Sequence, residues 1–158
     1  MRKWNMLASL SCVLALSTGL AQAQTTYRLT ELGTLGGSES GGSDLNESGQ
    51  VAGTSTTASG ERHACLWNGT TMLGLGTLGG EYSFGIAINE SGQVAGTSAT
   101  STGYSRAFLW NGSTMSDLGT LGGDESQGYA INDLGQVAGK SYAVVDETEH
   151  AFLWDGAF

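Results

Sequence analysis

The sequence has no proline, only two cysteines and only six basic residues among its 158 residues. Cys12 lies in an N-terminal apolar segment, so only Cys65 remains if that segment is removed, and no internal disulfide can then form. Cys65 stands where the related stretches have Phe108 and Phe152, which predicts a small buried apolar residue rather than a reactive thiol. The fold must therefore hold without disulfides.

Basic charge is scarce throughout, and fifteen acidic residues oppose the six basic ones. Removal of Arg2 and Lys3 with the N-terminal segment leaves four basic residues, so the mature chain carries a net charge of −11. Such a surface repels phosphate groups, which argues against nucleic acid and anionic lipid as partners.

Residues 1–23 have the pattern of a secretory signal peptide. Arg2 and Lys3 precede an apolar stretch, which ends in Ala21-Gln22-Ala23. A basic start, a short apolar core and small residues at the end are typical of a cleaved signal. We therefore expect a secreted protein, extracellular or periplasmic, with no membrane span after cleavage and a mature domain over residues 24–158.

Glycine, in contrast, is abundant, with 26 residues, and it marks a repeat. The phrase Leu-Gly-Thr-Leu-Gly-Gly begins at Leu32, Leu75 and Leu118, forty-three residues apart, and Gly-Gln-Val-Ala-Gly recurs at the same interval. A fixed period of this length indicates that one supersecondary unit is stacked several times. The repeats span approximately residues 32–74, 75–117 and 118–158.

The sequence pattern of each repeat predicts four short strands. In the middle copy, residues 84–89 alternate bulky and small, as a strand does, and residues 89–92 form an Asn-Gly turn. Residues 93–98 and 107–110 follow as strands, and Asn111-Gly112 is a strong hairpin signal for a type I′ turn. The returning strand runs from Thr114 to Leu118. No helical period occurs in the mature chain.

Four-stranded units of this length predict an all-β, β-propeller-like fold of about three antiparallel blades in an incomplete arc. A β-solenoid is the alternative. Residues 27–32 align with a fourth strand, whereas the last repeat stops before its own. Three blades are too few for a ring, so we expect either a fragment of a longer propeller or a strand-swapped homodimer.

The three recurring phrases, together with His150-Ala151-Phe152, resemble the bacterial extracellular HAF repeat. His63-Ala64-Cys65 and Arg106-Ala107-Phe108 each depart from that motif by one residue. The resemblance covers nearly all of the mature chain. It implies export from a bacterial cell and a propeller-like body, and it brings no assigned activity and no catalytic residue.

The candidate ligand-binding residues follow the Gly-Gly pair at the start of each repeat: Glu39, Glu81, Asp124 and Glu125. In a propeller this connection leads into the innermost strand, so the carboxylates would lie near one mouth of the channel. Like charges gathered there would favour a bound cation or a basic ligand. The sequence otherwise implies no cofactor.

We call a set of equivalent positions in the three repeats a column. Three columns besides the acidic one have structural interpretations. His63 and His150 share a column with Arg106, which cannot ligate a metal, so we predict no metal site there. The tryptophans at 67, 110 and 154 are predicted to lie in the blade core rather than to form a sugar platform. Ser40, Ser83 and Ser126 are predicted to satisfy backbone groups where each blade begins.

These observations favour a secreted, non-enzymatic repeat protein, a binding or surface-interaction module for an unidentified protein or glycan. No nucleophile, base and orienting group recur at related spacing. The alternative is a propeller glycosidase or lyase with its catalytic carboxylates in missing blades or in the acidic column, because that chemistry needs two carboxyl groups at suitable separation.

Overall fold

The structure, a computed structural model, describes residues 27–145 and 148–156, and over these ranges the chain is all-β. No helix long and apolar enough to cross a membrane occurs among the described residues. The described residues form eleven strands: β1 Gly36–Leu45, β2 Val51–Thr57, β3 Arg62–Trp67, β4 Met72–Gly76, β5 Gly79–Ile88, β6 Val94–Thr100, β7 Ser105–Trp110, β8 Met115–Asp117, β9 Gly122–Ile131, β10 Val137–Ala143 and β11 Glu149–Trp154.

The strands form three antiparallel meanders that follow the sequence repeat. In the first repeat β1, β2, β3 and β4 pair in chain order, in the second β5 to β8 do so, and in the third β9, β10 and β11 do so. One parallel pair, Arg62 with Tyr82, links the first two repeats into an eight-stranded sheet, and the third repeat is a separate three-stranded sheet. The prediction of an all-β fold is confirmed.

The turn between the first two strands of the middle repeat forms as its side chains predict. The Asn89 carboxamide oxygen accepts a hydrogen bond from the Gln93 backbone N–H at 2.9 Å, and the Gly92 N–H donates to the Asn89 carbonyl. Gly92 has φ of +75°, which a side chain would disfavour. The short polar side chain and the glycine therefore fix this turn locally.

The hairpin between β7 and β8 also forms, but its centre lies one residue beyond the predicted position. The Asn111 N–H donates to the Thr114 carbonyl, so Gly112 and Ser113 are the two central residues. Asn111 instead uses its side-chain oxygen to accept the backbone N–H groups of Ser113 and Thr114. A glycine at the first central position, here with φ of +102°, suits a type II′ turn rather than type I′.

The apolar core lies between repeats rather than within one sheet. One cluster joins the first repeat to the second, and another joins the second to the third. The first contains Ala52, Ala64, Leu66, Leu75, Ile88, Val94, Phe108 and Trp110. The second contains Ala95, Leu109 and Val137, with Leu118, Ile131, Phe152 and Trp154 packed against it. The predicted core position of the tryptophan column is confirmed for Trp110 and Trp154.

Glycine allows the sheets to approach closely. A Cβ at Gly85 would lie 2.7 Å from the Gly53 carbonyl oxygen in the preceding repeat, and one at Gly128 would lie 2.9 Å from the Gly96 carbonyl oxygen. Neither distance leaves room for a side chain. The first strand of each repeat therefore packs directly on the backbone of the second strand of the repeat before it.

Successive repeats contact each other through the first strand of the later repeat. Strand β5 contacts β1, β2 and β3, and β9 contacts β5, β6 and β7. Among equivalent strands, the first ones of successive repeats are in contact, β1 with β5 and β5 with β9.

Two of the predictions concern the N-terminal residues. The predicted signal peptide, residues 1–23, lies outside the described residues. The fourth strand predicted over residues 27–32 is absent, since residues 27–34 form no strand. In the first two repeats a fourth strand pairs with the third strand before it, and residues 27–32 follow no such strand in this chain.

Candidate functional site

The structure places the four predicted site residues near the starts of the first strands of the three repeats. Glu39 lies on β1, Glu81 on β5, and Asp124 and Glu125 on β9. Glu39, Glu81 and Asp124 are exposed, whereas Glu125 is half-buried. The four carboxylates thus belong to three different repeats.

Glu39 has a basic neighbour. Its carboxylate lies 3.6 Å from the Arg62 guanidinium, and both side chains are more than half exposed, so this ion pair contributes little to stability. Glu39 and Arg62 also line a cavity of about 340 Å³ together with Phe84 and with polar residues of β1 and β2. Glu39 therefore faces a mixed surface rather than a purely acidic one.

Asp124 and Glu125 line a larger groove of about 570 Å³. Tyr104, Tyr142 and Val144 also line it. Tyr104 is 41% exposed and Tyr142 is 37% exposed, so both residues are open to solvent. This tyrosine groove, as we name it, combines two aromatic residues with two acidic ones.

Backbone hydrogen bonds fix the loop that carries Tyr104. The Thr100 N–H donates to the Tyr104 carbonyl at 2.9 Å, and the Gly103 N–H donates to the Thr100 carbonyl at the same distance. The Thr100 hydroxyl also donates to the Tyr104 carbonyl. The ring at the end of this turn is therefore presented from a closed, hydrogen-bonded loop.

Glycine shapes the opposite wall. A Cβ at Gly123 would lie 2.6 Å from the Tyr142 Cβ, so only glycine lets β9 pass this close to β10. The Thr120 hydroxyl donates to the Gly123 carbonyl at 2.7 Å, and Leu121 forms an isolated bridge with Ala143. These contacts hold the first residues of β9 beside Tyr142.

The first junction lacks the residues that form the tyrosine groove. At the junction of the first two repeats, the positions of Tyr104 and Tyr142 hold Glu61 and Ala99, and Ala99 is only 4% exposed. The carboxylate positions hold Glu81 and Tyr82 there. The junction between the second and third repeats has therefore acquired two exposed rings that the repeat pattern does not require.

A charged pair lies beside the groove. The Lys140 ammonium and the Glu149 carboxylate are 2.6 Å apart, and both line a small cleft with Glu125 and Tyr142. The hydrogen bond that the Lys140 ammonium donates to the Glu149 carboxylate raises the pKa of Lys140. Lys140 therefore stays protonated and offsets part of the negative charge around Glu125.

The two histidines that share a position in the repeats lie beside other polar side chains. His63 lies 3.9 Å from the Glu61 carboxylate, and His150 lies 3.1 Å from the Thr148 hydroxyl. Among residues 27–145 and 148–156, no group of three or more His, Cys, Asp or Glu side chains is arranged to hold a metal ion. The cation proposed for the acidic column stays a prediction.

The serine column has the predicted backbone role. The Ser83 hydroxyl accepts the Ala64 N–H of the preceding repeat at 2.8 Å and donates to the Gly76 carbonyl. The Ser126 hydroxyl accepts the Ala107 N–H at 3.0 Å and donates to the Gly119 carbonyl. These serines join one repeat to the next and are not available for chemistry.

Sequence reasoning missed Tyr104, Tyr142 and Val144, because it followed what the repeats share. The available signal was the opposite one. At these positions the junction of the second and third repeats departs from the first junction, with exposed aromatic or apolar residues where the first junction has Glu61, Ala99 and Ser101. The positions at which one repeat differs in sequence from the others are therefore the ones that mark a site for a single ligand.

The arrangement defines a repeat protein of stacked antiparallel sheets with one aromatic, acidic groove. The chain matches no family model, no curated protein and no solved structure. The resemblance to the HAF repeat therefore stays a prediction based on the quoted motifs.

Proposed function

We propose that the chain is an exported, non-enzymatic binding module built of propeller-like repeats, and that it binds a glycan in the tyrosine groove. The observation that carries the proposal is the groove itself, where Tyr104 and Tyr142 are exposed beside Asp124 and Glu125. Export is supported by the signal-peptide pattern of residues 1–23 and by the resemblance to extracellular repeats.

The lining chemistry suits a sugar. Aromatic rings offer a flat apolar surface with a polar edge, and carboxylates accept hydrogen bonds from ligand hydroxyl groups. A groove with mainly apolar walls and a few polar groups is the usual form of a small-molecule site. The net charge of −11 on the mature chain disfavours polyanions, so a neutral or basic glycan fits best.

The propeller-like part of the proposal is supported by the contacts of the first strands. Among equivalent strands of successive repeats, the first ones are in contact, β1 with β5 and β5 with β9, so further repeats would bring their first strands together around one axis. A solenoid of parallel coils would keep all equivalent strands in contact. Three repeats would then form an incomplete arc, since propellers have four to eight blades.

The test is a glycan array followed by calorimetry on the best ligands. We expect Tyr142→Ala and Tyr104→Ala each to weaken binding about fivefold or more, because a stacked ring contributes on the order of 1 kcal/mol. The matched control is Tyr129→Ala, which removes an exposed ring of β9 that does not line the groove. An array without any bound glycan, or binding that survives both groove variants, would contradict the proposal.

A glycosidase is the second candidate, since two carboxylates line one groove. Asp124 and Glu125 are adjacent on β9, however, and neighbouring side chains of a strand point to opposite faces. Such a pair is poorly placed to flank one glycosidic bond. Turnover of chromogenic glycosides that is lost in Asp124→Asn would make the chain an enzyme and would overturn the non-enzymatic proposal.

A further inference from the structure

The two ends of the repeat stack expose residues that are buried at the junctions. Leu153, at the end of the third repeat, is 66% exposed, whereas its counterpart Leu109 is 8% exposed. At the start of the first repeat, Leu45 is 68% exposed, and its counterpart Ile88 is 6% exposed. Both end faces are therefore apolar surfaces of the type that the repeats bury elsewhere.

The internal junctions show what covers each kind of face. At the junction of the second and third repeats, Ala95 and Leu109 meet Val137 and Phe152. The face that ends one repeat is thus covered by the face that begins the next. The two exposed ends of this chain are the corresponding halves of that same interface.

We propose that a second copy of this chain docks head to tail, with its first repeat seated on the third repeat of the first copy. The proposal does not depend on the tyrosine groove. The chain already forms this interface twice, between its own repeats, and those two junctions show which face covers which.

The polar contacts of the junctions have donors and acceptors available at the ends. The Asn46 carboxamide N–H donates to the Asn89 carbonyl at 3.0 Å, and the Asn89 carboxamide N–H donates to the Asn132 carbonyl at 3.0 Å. In the docked pair, Asn132 would donate to the Asn46 carbonyl of the second copy. This contact would continue the ladder across the new junction without a break.

The hydrogen bonds of the serine column could also continue across the docked junction. Ser83 and Ser126 are buried against backbone N–H groups of the preceding repeat, whereas Ser40 is exposed. The residue that corresponds to their partners Ala64 and Ala107 is Ala151, which is also exposed. Docking would bring the Ala151 N–H to the Ser40 hydroxyl of the second copy.

At two facing positions, the side chains of the end faces differ in size from those of the internal junctions, and the two differences compensate each other. At the first junction Phe84 and Thr54 line one cavity, so a large side chain lies beside a small one. In the docked pair these positions would be occupied by Gly41 of the second copy and by Lys140. The larger Lys140 would thus meet a glycine, which leaves space for the Lys140–Glu149 pair.

Docking would also place a fourth strand beside β11. β3 pairs with β4 and β7 pairs with β8, whereas among the described residues β11 pairs only with β10. The fourth strand of each repeat leads directly into the first strand of the next, so residues 28–32 of the second copy would lie beside β11. Leu29, which aligns with Met72 and Met115, is fully exposed in the single chain and would then be covered.

Two chains joined in this way contain six repeats, within the range of closed propellers. A head-to-tail interface gives a closed ring when the rotation between subunits allows it. The expected species is a cyclic dimer with two identical junctions.

An engineered disulfide tests the geometry. The Glu47 N–H lies 2.9 Å from the Glu90 carboxylate, and the Glu90 N–H lies 3.0 Å from the Asp133 carboxylate. Because Glu90 separates Glu47 from Asp133 within one chain, the double variant Glu47→Cys/Asp133→Cys should cross-link only between copies. The double variant Glu47→Cys/Glu90→Cys, which should close within one chain, is the matched control.

The native thiol does not interfere with this assay, because Cys65 is 2% exposed and burial raises its pKa to about 11. We expect a covalent two-chain product from Glu47→Cys/Asp133→Cys under mild oxidation in dilute solution. If the control closes while this variant stays monomeric, the head-to-tail dimer is wrong.

Sedimentation equilibrium gives an independent readout. The unaltered exported chain should have the mass of two chains, and Leu153→Arg should shift it to one chain while it keeps its β-sheet circular dichroism. Ser113→Arg is the control, since Ser113 is exposed in the turn between β7 and β8 and belongs to the middle repeat, which carries neither end face. A one-chain mass for the unaltered protein at tens of micromolar, or a two-chain mass without the 47–133 cross-link, would overturn the proposal.

Discussion

At the scale of single residues, this fold depends on small polar side chains in buried positions. Ser83 is fully buried, yet its hydroxyl is satisfied on both sides, by the Ala64 N–H and by the Gly76 carbonyl. A buried donor that loses its acceptor costs more than an average hydrogen bond contributes. The serine is therefore required by the backbone of the neighbouring repeat rather than by its own strand.

We expect Ser83→Ala to lower the free energy of unfolding by about 1–3 kcal/mol, because it leaves the Ala64 N–H without an acceptor. Urea denaturation followed by circular dichroism measures the change. Ser91→Ala, which alters an exposed turn residue, is the control and should change the value by less than about 0.5 kcal/mol. Equal losses in the two variants would show that the hydroxyl at position 83 has no special role.

At the scale of strands, burial depends on whether a neighbouring repeat covers both faces. β7 lies between repeats, and all four residues from Ala107 to Trp110 are buried. β11 carries almost the same sequence, but its residues are exposed or half-buried. The same apolar strand thus contributes different amounts of stability at different places in the stack.

This difference predicts unequal effects at Phe108 and Phe152, which occupy one column. Phe108 is fully buried, so Phe108→Ala should cost about 3–5 kcal/mol of unfolding free energy, whereas Phe152→Ala should cost clearly less. Urea denaturation of the two variants side by side, at a protein concentration low enough to keep the chain monomeric, gives the comparison. Identical costs would mean that the third repeat is as well packed as the second.

Strands and turns were predictable because they follow from local patterns. The alternation in residues 84–89 and the Asn89-to-Gly92 turn predict the observed elements. The centre of the Asn111 hairpin was predicted one residue too early, because the Asn111 side chain caps the turn instead of occupying it. The tyrosine groove joins three segments that are distant in sequence, so only their packing brings Tyr104 and Tyr142 together.

At the scale of the whole molecule, stability follows the order of the stack. Each repeat packs mainly on its neighbours, and the two core clusters both include residues of the second repeat. In proteins of this kind the total stability is approximately the sum of repeat and interface contributions. The second repeat takes part in two interfaces within the chain, and each end repeat takes part in one.

Native-state hydrogen exchange should therefore resolve the repeats in the monomeric Leu153→Arg variant. We expect the amides of β6 and β7 to exchange most slowly, and those of β10 and β11 to exchange faster, because the third repeat can open without exposing the first cluster. The same measurement on the unaltered chain should slow exchange in β10 and β11, since a second copy would then cover their exposed face. Uniform protection across all strands of the monomeric variant would show instead that the three repeats unfold as one unit, and that the interfaces between them dominate over the repeats themselves.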